Sequence, residues 1–480
     1  MSTAALPNAT RLSALAAILP DGGLLTRDED LERYSRDWSG DHVGRPLAVA
    51  RPRSVEDVAA LMRFCSAAGI AVVPQGGLTG LVGAAVAAPG GEELVLSLER
   101  MSKVRSVNPI DFAIVVEAGC ILEEAKRAAE AQDCLLPITF GAQGSCRIGG
   151  NVATNAGGFN VLRYGMTRDL VLGLEVVLAD GRVWNGLKTL RKDNRGYDLK
   201  QLFIGSEGTL GIVTAAALKL FPRPSRVETA LVGLRSVEDA MALYALARRG
   251  CSDLLSAFEL ILRDGLEVAL AARPDLTDPL ARPYPAYVLM EASAGGEIDL
   301  RALIESFLAS AGDLVEDGVV ASSRAQAERL WLYRETMVEA QGRGGRYLRT
   351  DVSVPISQLA DFVAQALAAV RHAAPQTQAL AYGHVGDGNI HLNVIPPQGL
   401  APADIAPLLH GAEEAIFAVV DRLGGSISAE HGIGRVKQRA FLERVDSVTL
   451  DLAKRVKTAL DPQTILSRGR ILPLVPSEDR

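Results

Sequence analysis

The sequence predicts an α+β protein rich in loops and divided into more than one domain, and three observations carry that reading. A length of 480 residues exceeds what one hydrophobic core usually serves. Hydrophobic residues at 48% and charged residues at 22% are the proportions of a packed protein, far from those of a disordered one. From about residue 43 to 222, short apolar runs alternate with glycine-rich turns, and a second stretch of mixed helical and strand spacing follows.

Taken in chain order, residues 1–42 hold a short amphipathic helix that lacks the basic start of a signal peptide and is broken by Pro20. AVA at 48–50, IAVV at 70–73, LVLSL at 94–98 and AIVVEAG at 113–119 read as strands. Between the first two lies the helix SVEDVAALMRFCSAAG, with Ser54 as N-cap, Asp57 three residues later, and Gly69 as its stop. The prolines of FPRPS at 221–225 mark a domain boundary. Beyond it, SVEDAMALYALARRG and DLRALIESFLASAG have helical spacing and YPAYVLMEAS that of a strand; TLDLAKRVKTALDP is a final amphipathic helix stopped by Pro462. The expected divisions are therefore 1–42, 43–222, 223–430 and 431–480.

A net charge of −7 argues against a dedicated nucleic-acid binder. Five scattered cysteines without a C-x-x-C pair read as reduced thiols of a cytoplasmic protein. No uninterrupted apolar run approaches eighteen residues, so no transmembrane segment is expected, while peripheral contact with a membrane is left open.

Three glycine-rich loops carry the first chemical signal. VVPQGGLTGLVGAAV follows a strand directly, and its glycines let backbone N–H groups converge on an anion such as a diphosphate; alone it also reads as a hairpin without a ligand. It is neither a Walker A loop nor a dinucleotide fingerprint. GAQGSCRIGGNVATNAGG, from Gly141 to Gly158, interleaves glycines with Ser145, Asn151, Thr154 and Asn155, and GSEGTLGIVT leads into a strand. Three such loops in one domain exceed what turns alone require.

A second signal is histidine and carboxylate. His384 and His391 bracket HVGDGNIH, whose GDGN turn would let the two imidazoles approach across a tight reversal, and Glu430 and His431 sit in SAEHGIGR. An apolar strand is expected to feed each string, LAYG the first and GGSIS the second. Two imidazoles and one carboxylate suit zinc or another first-row divalent ion with open positions, although such histidines are more often satisfied core or surface residues. Arg334 on the helix AERLWLYRETMVEA, and Arg349 before DVSVP, could hold a carboxylate; either is otherwise a solvated charge.

These strings together resemble the FAD-binding domain of the vanillyl-alcohol oxidase superfamily, and specifically its D-2-hydroxy-acid dehydrogenase branch, which includes D-lactate, glycolate and D-2-hydroxyglutarate dehydrogenases. The likeness runs from about Arg51 to Pro473. It implies a two-lobed FAD-binding domain at 43–222, an α+β substrate domain at 223–430, and a C-terminal helical segment at 431–480 returning to the FAD domain. Gly76, Gly77, Thr79, Gly80 and Gly83 would then hold the pyrophosphate. Ser145, Gly149, Gly150, Asn151, Thr154, Gly157 and Gly158 would line the flavin and ribityl region, with Glu207, Gly211 and Ile212 near the adenine or its ribose. The family's P-x-G-G-N-T-G has Leu78 at its Asn position here. Members with covalent flavin often carry a histidine in or near this loop; none lies between His42 and His372, so the FAD is expected to be non-covalent.

By the same resemblance His384, His391 and Glu430 are the metal ligands, with zinc the leading candidate, and His431 is the catalytic base. Arg334, Arg349 and Asn393 face the substrate, Arg349 standing where Lys is frequent. The expected reaction is oxidation of a D-2-hydroxy acid, D-2-hydroxyglutarate, D-lactate or a similar acid, to the 2-oxo acid by hydride transfer to flavin. Val338 replaces a Thr found in members that oxidise D-2-hydroxyglutarate, and the C-terminal N-P-G-K reads SRGR, so contacts there are expected to differ. Expected partners are the small-molecule acid and an electron acceptor such as electron-transfer flavoprotein, a quinone or a cytochrome; a homodimer is a possible assembly. Two alternatives have distinct marks: a flavin-containing alkyl transferase would need a lipid channel, and an idle flavin-binding subunit of a glycolate oxidase-like complex would lack the His/Glu set.

Overall fold

The computed structural model describes residues 7–474, which divide into two compact units. Of the described residues, the first comprises 7–157, 166–223 and 430–474, and the second 158–165 and 224–429. The chain crosses from the first to the second between Arg223 and Pro224, inside the FPRPS string.

The first unit holds two main sheets, besides the short pair Cys134–Leu135 and Phe221–Pro222. In the smaller, Leu24–Leu25, Ala48–Ala50, Leu94–Ser97 and Val72–Gln75 lie side by side in that order. Both pairings made by Leu94–Ser97 are parallel, which requires a crossover, and the helix Val55–Ala68 supplies the one between Ala48–Ala50 and Val72–Gln75. That helix begins where Ser54 accepts a hydrogen bond from the Asp57 amide at 3.2 Å and ends at Gly69 with φ +65°. The larger sheet runs Val104–Asn108, Ala113–Glu117, Ile212–Lys219, Val171–Val177, Val183–Asn185, antiparallel throughout. One continuous core joins them, from Leu15 of the helix Asn8–Ile18 through Met62, Leu96 and Val116 to Ile465.

The second unit is a seven-stranded antiparallel sheet in the order Asp317–Val320, Arg226–Leu234, Ala286–Ala294, Leu255–Leu262, Gln378–His384, Asn389–Ile395, Val352–Ser353. The inner strand Ala286–Ala294 is apolar almost throughout because both its faces are covered. Tyr287 and Leu289 join Leu266, Leu330 and Met337 from the helices Arg263–Ala272 and Arg324–Gln341, while Val288 and Met290 are buried on the opposite face.

Two local expectations differ from what forms. The strand expected at 70–73 is Val72–Gln75, displaced toward the first glycine loop. GGSIS makes no strand, only an isolated bridge between Ser426 and Ser353. Gly424 adopts φ +66°, and a Cβ on Gly425 would stand 2.3 Å from the Ser353 carbonyl oxygen, so the glycines serve a turn and a close backbone approach.

Candidate active site

The three glycine loops meet in the first unit, and close packing explains their composition. A Cβ at Gly77 would lie 2.3 Å from the Ser145 carbonyl oxygen, and one at Gly149 would lie 2.7 Å from the Ala118 Cβ. The third loop is tied to the second by Gly205 N to Val152 O at 3.0 Å and Glu207 N to Ala153 O at 2.8 Å. Between them lies a cleft lined by Gly76, Gly149, Gly150, Thr154, Glu207, Gly211 and Ile212 among others. A Cβ on Gly150 would meet nothing within 4 Å, and the Nδ2 of Asn151 is buried without a hydrogen-bond partner. Open glycine backbone and an unsatisfied buried donor are what a bound dinucleotide would use, so these residues fit FAD.

The remaining residues expected at the cofactor are spread along the same loops. Thr79 is half-buried, Gly80 faces open space, and Gly83, at φ +65°, packs against the ring of His42. A histidine therefore does lie beside the first loop, although it is far from it in sequence. Leu78 sits at φ +57°, a left-handed position that Asn tolerates better than Leu. Ser145 is exposed, Gly157 is buried in the first unit, and Gly158 belongs to the second.

Glu207, expected near the adenine or its ribose, lines the cleft and has a second set of contacts. Its carboxylate accepts from the Ile433 amide at 2.8 Å and the Gly434 amide at 2.7 Å. Burial pushes this carboxyl above the usual range, against the pull of the two amides. Arg470, in the C-terminal string where contacts were expected to differ, is wholly buried: Nη1 and Nη2 pair with the two oxygens of Glu93 at 2.8 and 3.0 Å, and Nη2 also donates to the Val86 carbonyl at 2.7 Å.

In the second unit a polar cluster forms on the sheet face that carries Tyr382, through strand periodicity. The GDGN segment makes a one-turn reversal with Gly388 at φ +75°, so that His384 pairs with Asn389 and His391 with Tyr382 across the hairpin. The His384 and His391 rings stand edge to face, 5.6 Å between centroids. On the neighbouring strand Glu259 is in register with His384, and its Oε1 lies 2.5 Å from His384 Nδ1. Its other oxygen accepts from Arg334 Nε at 3.2 Å. Burial alone would raise the Glu259 carboxyl, but His384 and Arg334 override it and hold it below the usual range. Arg334 itself lies against the rings of Tyr382 and Phe159, 4.4 and 5.6 Å from their centroids.

Glu259 was not expected from sequence; a single acid inside the apolar run SAFELIL was the available signal. Asp351, fully buried in the DVSVP string, holds Asn389 Nδ2 at 3.0 Å and stands 3.9 Å from His391 Nδ1. Arg349 is half-buried and stacks on Tyr347. Asn393 Nδ2 donates to Gln341 at 2.7 Å and Tyr382 at 2.9 Å, and its Oδ1 accepts from the Thr350 amide at 3.2 Å, so both ends of the amide are engaged within the unit. Glu430 and His431 begin the segment that returns to the first unit, immediately after Ala429, whose amide bonds the Asp351 carbonyl at 3.1 Å. The His384 imidazole fits a divalent metal, because its Nδ1, engaged by the buried Glu259 carboxylate, fixes the ring and leaves Nε2 as the ligand atom, and the His391 ring stands beside it.

Comparison with known proteins agrees with this architecture. An FAD-binding domain family matches residues 46–186, and the family of FAD-linked oxidases, C-terminal domain, matches residues 223–471. The fold is that of flavoproteins such as the 4-ethylphenol oxidase from Gulosibacter chungangensis, with a TM-score of 0.77 at 18% identity over 98% of both chains. A D-2-hydroxyglutarate dehydrogenase from Xanthomonas citri pv. viticola is 41% identical over 96% of this chain and 96% of its own. The mitochondrial D-2-hydroxyglutarate dehydrogenase of Rattus norvegicus is 39% identical over 96% of this chain and 84% of its own. The chain thus belongs to the FAD-linked D-2-hydroxy-acid dehydrogenases of the vanillyl-alcohol oxidase superfamily. Among the described residues no helix is long and apolar enough to cross a membrane.

Proposed function

We propose that the chain oxidises D-2-hydroxyglutarate, or a D-2-hydroxy acid close to it, with His384, His391 and Glu430 holding a divalent metal, zinc first among candidates, and with His431 as the base. The reading rests most on Glu259, which holds His384 through Nδ1 and Arg334 through Nε, so that one buried carboxylate orients a metal ligand and a carboxylate-binding cation together. FAD, when bound, supplies the hydride acceptor, and the metal supplies the Lewis acid that lowers the pKa of the substrate hydroxyl.

The chain's own residues have separable tasks. Arg334, its plane fixed between Tyr382 and Phe159, would present its terminal nitrogens to a substrate carboxylate, and Arg349 would take the second carboxylate of a dicarboxylic acid. Asn393 would act one step back, holding Tyr382 and Gln341 in place. Neutral His431 would accept the hydroxyl proton as the C–H bond breaks. The glycine loops would hold the FAD without a covalent bond, so acid precipitation should release all of it; flavin retained on the protein would point to His42 beside Gly83.

Replacing His431 by Ala should slow anaerobic flavin reduction by about 10²–10⁴-fold, the usual worth of a positioned base, with FAD content unchanged. Loss of FAD with no slower reduction in the remaining holoenzyme would make the residue structural. A cytoplasmic location and an electron-transfer flavoprotein, quinone or cytochrome as acceptor complete the reading.

A further inference from the structure

We infer that Glu207 is a positioning residue: its carboxylate clamps the backbone just after Glu430 and His431 and thereby sets where those two side chains stand. The inference rests on the roles proposed above for Glu430 and His431, and it gives the third glycine loop a task beyond holding the cofactor.

The clamp is built from both sides. Oε1 takes the Ile433 amide and Oε2 the Gly434 amide, the second and third residues after His431. One carboxylate with two oxygens can satisfy two successive amides, whereas an amide side chain has one oxygen and turns a donor toward the other N–H. Gly432 adopts φ +81°, and a Cβ there would fall 2.8 Å from Glu207 Oε1, so only glycine lets the backbone close on the carboxylate. Glu207 itself is held at φ +52°, which side chains of its kind rarely adopt. A strained backbone persists where surrounding contacts over-determine it, and here the contacts are the Ala153 carbonyl behind and the two amides in front.

The same segment is tied to the first glycine loop. The Arg435 amide bonds the Val82 carbonyl at 3.0 Å, and a Cβ on Gly434 would stand 2.2 Å from that oxygen. Residues 433–435 are thus fixed to two of the three loops, and Glu207 also lines the cleft that fits FAD. Glu207 thus stands between that cleft and the backbone that follows Glu430 and His431.

The test uses the FAD-loaded full chain and the variants Glu207→Gln and Gly432→Ala. Glu207→Gln should retain FAD and melting temperature yet exchange the Ile433 and Gly434 amides for deuterium about tenfold faster, as expected when a charge-assisted acceptor is lost. Its affinity for Zn(II), measured by chelator competition, should fall about 10–100-fold. In turnover with D-2-hydroxyglutarate kcat should fall while KM holds, since Arg334 and Arg349 are untouched. If Glu207→Gln sheds FAD or fails to fold, Gly432→Ala, which displaces the carboxylate by its methyl group, decides by the same exchange and zinc readouts. Wild-type exchange rates and zinc affinity in whichever variant folds would overturn the clamp. Failure of wild-type flavin to be reduced by any D-2-hydroxy acid would overturn the proposed reaction instead, and the exchange data would still decide the clamp.

Discussion

Removing Arg470 should destabilise the first unit more than any surface substitution, and the size of the effect follows from its surroundings. The guanidinium is fully buried, forks onto both oxygens of Glu93, and donates to the carbonyls of Val86 and Ala84, the latter at 3.3 Å. Arg470→Met would leave Glu93 buried with the Ala88 amide at 2.6 Å and Arg435 at 3.3 Å as its remaining partners. Breaking a buried pair from one side costs about 3–5 kcal/mol. At about 2–4 °C per kcal/mol for a body of this size, calorimetry should show a loss of roughly 6–20 °C. Ala84 and Ala85 line the cofactor cleft, so FAD affinity should fall too. The double variant Glu93→Met/Arg470→Met should recover only part of the stability, because it removes the stranded carboxylate but takes from the partly buried Arg435 its acid partner at 3.3 Å. A loss below about 2 °C for Arg470→Met, far under the range expected for a stranded buried charge, would refute this reasoning.

The same pair sets one arm of the acid response: burial alone would raise the Glu93 carboxyl, but Arg470 overrides it and holds it below the ordinary glutamate value of 4.5, so its stabilisation is complete above that value and is lost as pH falls through the lowered one. Acid unfolding of Glu93→Gln should therefore show a shallower pH dependence below about 4.5 than wild type. Glu259→Gln should weaken Zn(II) binding by about 10–100-fold with the fold retained, as chelator competition would report, and unchanged affinity would remove Glu259 from the metal reading. Leu78→Asn should raise stability by about 1 kcal/mol, because Asn accepts the left-handed backbone that Leu resists; a lower melting temperature would show that packing of Leu78 outweighs the strain. All five cysteines are buried, and burial pushes the Cys65 thiol up to about 12 and those of Cys120, Cys146 and Cys251 to about 11, so a thiol reagent at neutral pH should label none until the chain unfolds.

Much of this was legible where chemistry is local. The helix Val55–Ala68 announces itself through Ser54 and Gly69, and the hairpin of His384 and His391 through GDGN, because caps and turns depend on neighbouring residues. What stayed hidden depends on register between distant strands. Nothing near Glu259 in sequence points to His384, 125 residues away, and only the antiparallel pairing of their strands brings them opposite. Glu207 is placed at the cofactor by the string around it, but its partner Gly434, 227 positions away, and the pairing of Arg470 with Glu93, 377 positions apart, come from segments no local pattern links. GGSIS shows the converse, an apolar alternation that reads as a strand but whose glycines serve backbone contact.

The most direct test is an anaerobic titration of the FAD-loaded protein with the two enantiomers of 2-hydroxyglutarate, with and without a chelator, followed by the flavin absorbance. The account predicts that the D enantiomer bleaches the flavin, that the L enantiomer does not, and that chelation slows the bleaching until zinc is restored. Bleaching by the L enantiomer alone, or an undiminished rate with all metal removed, would contradict it.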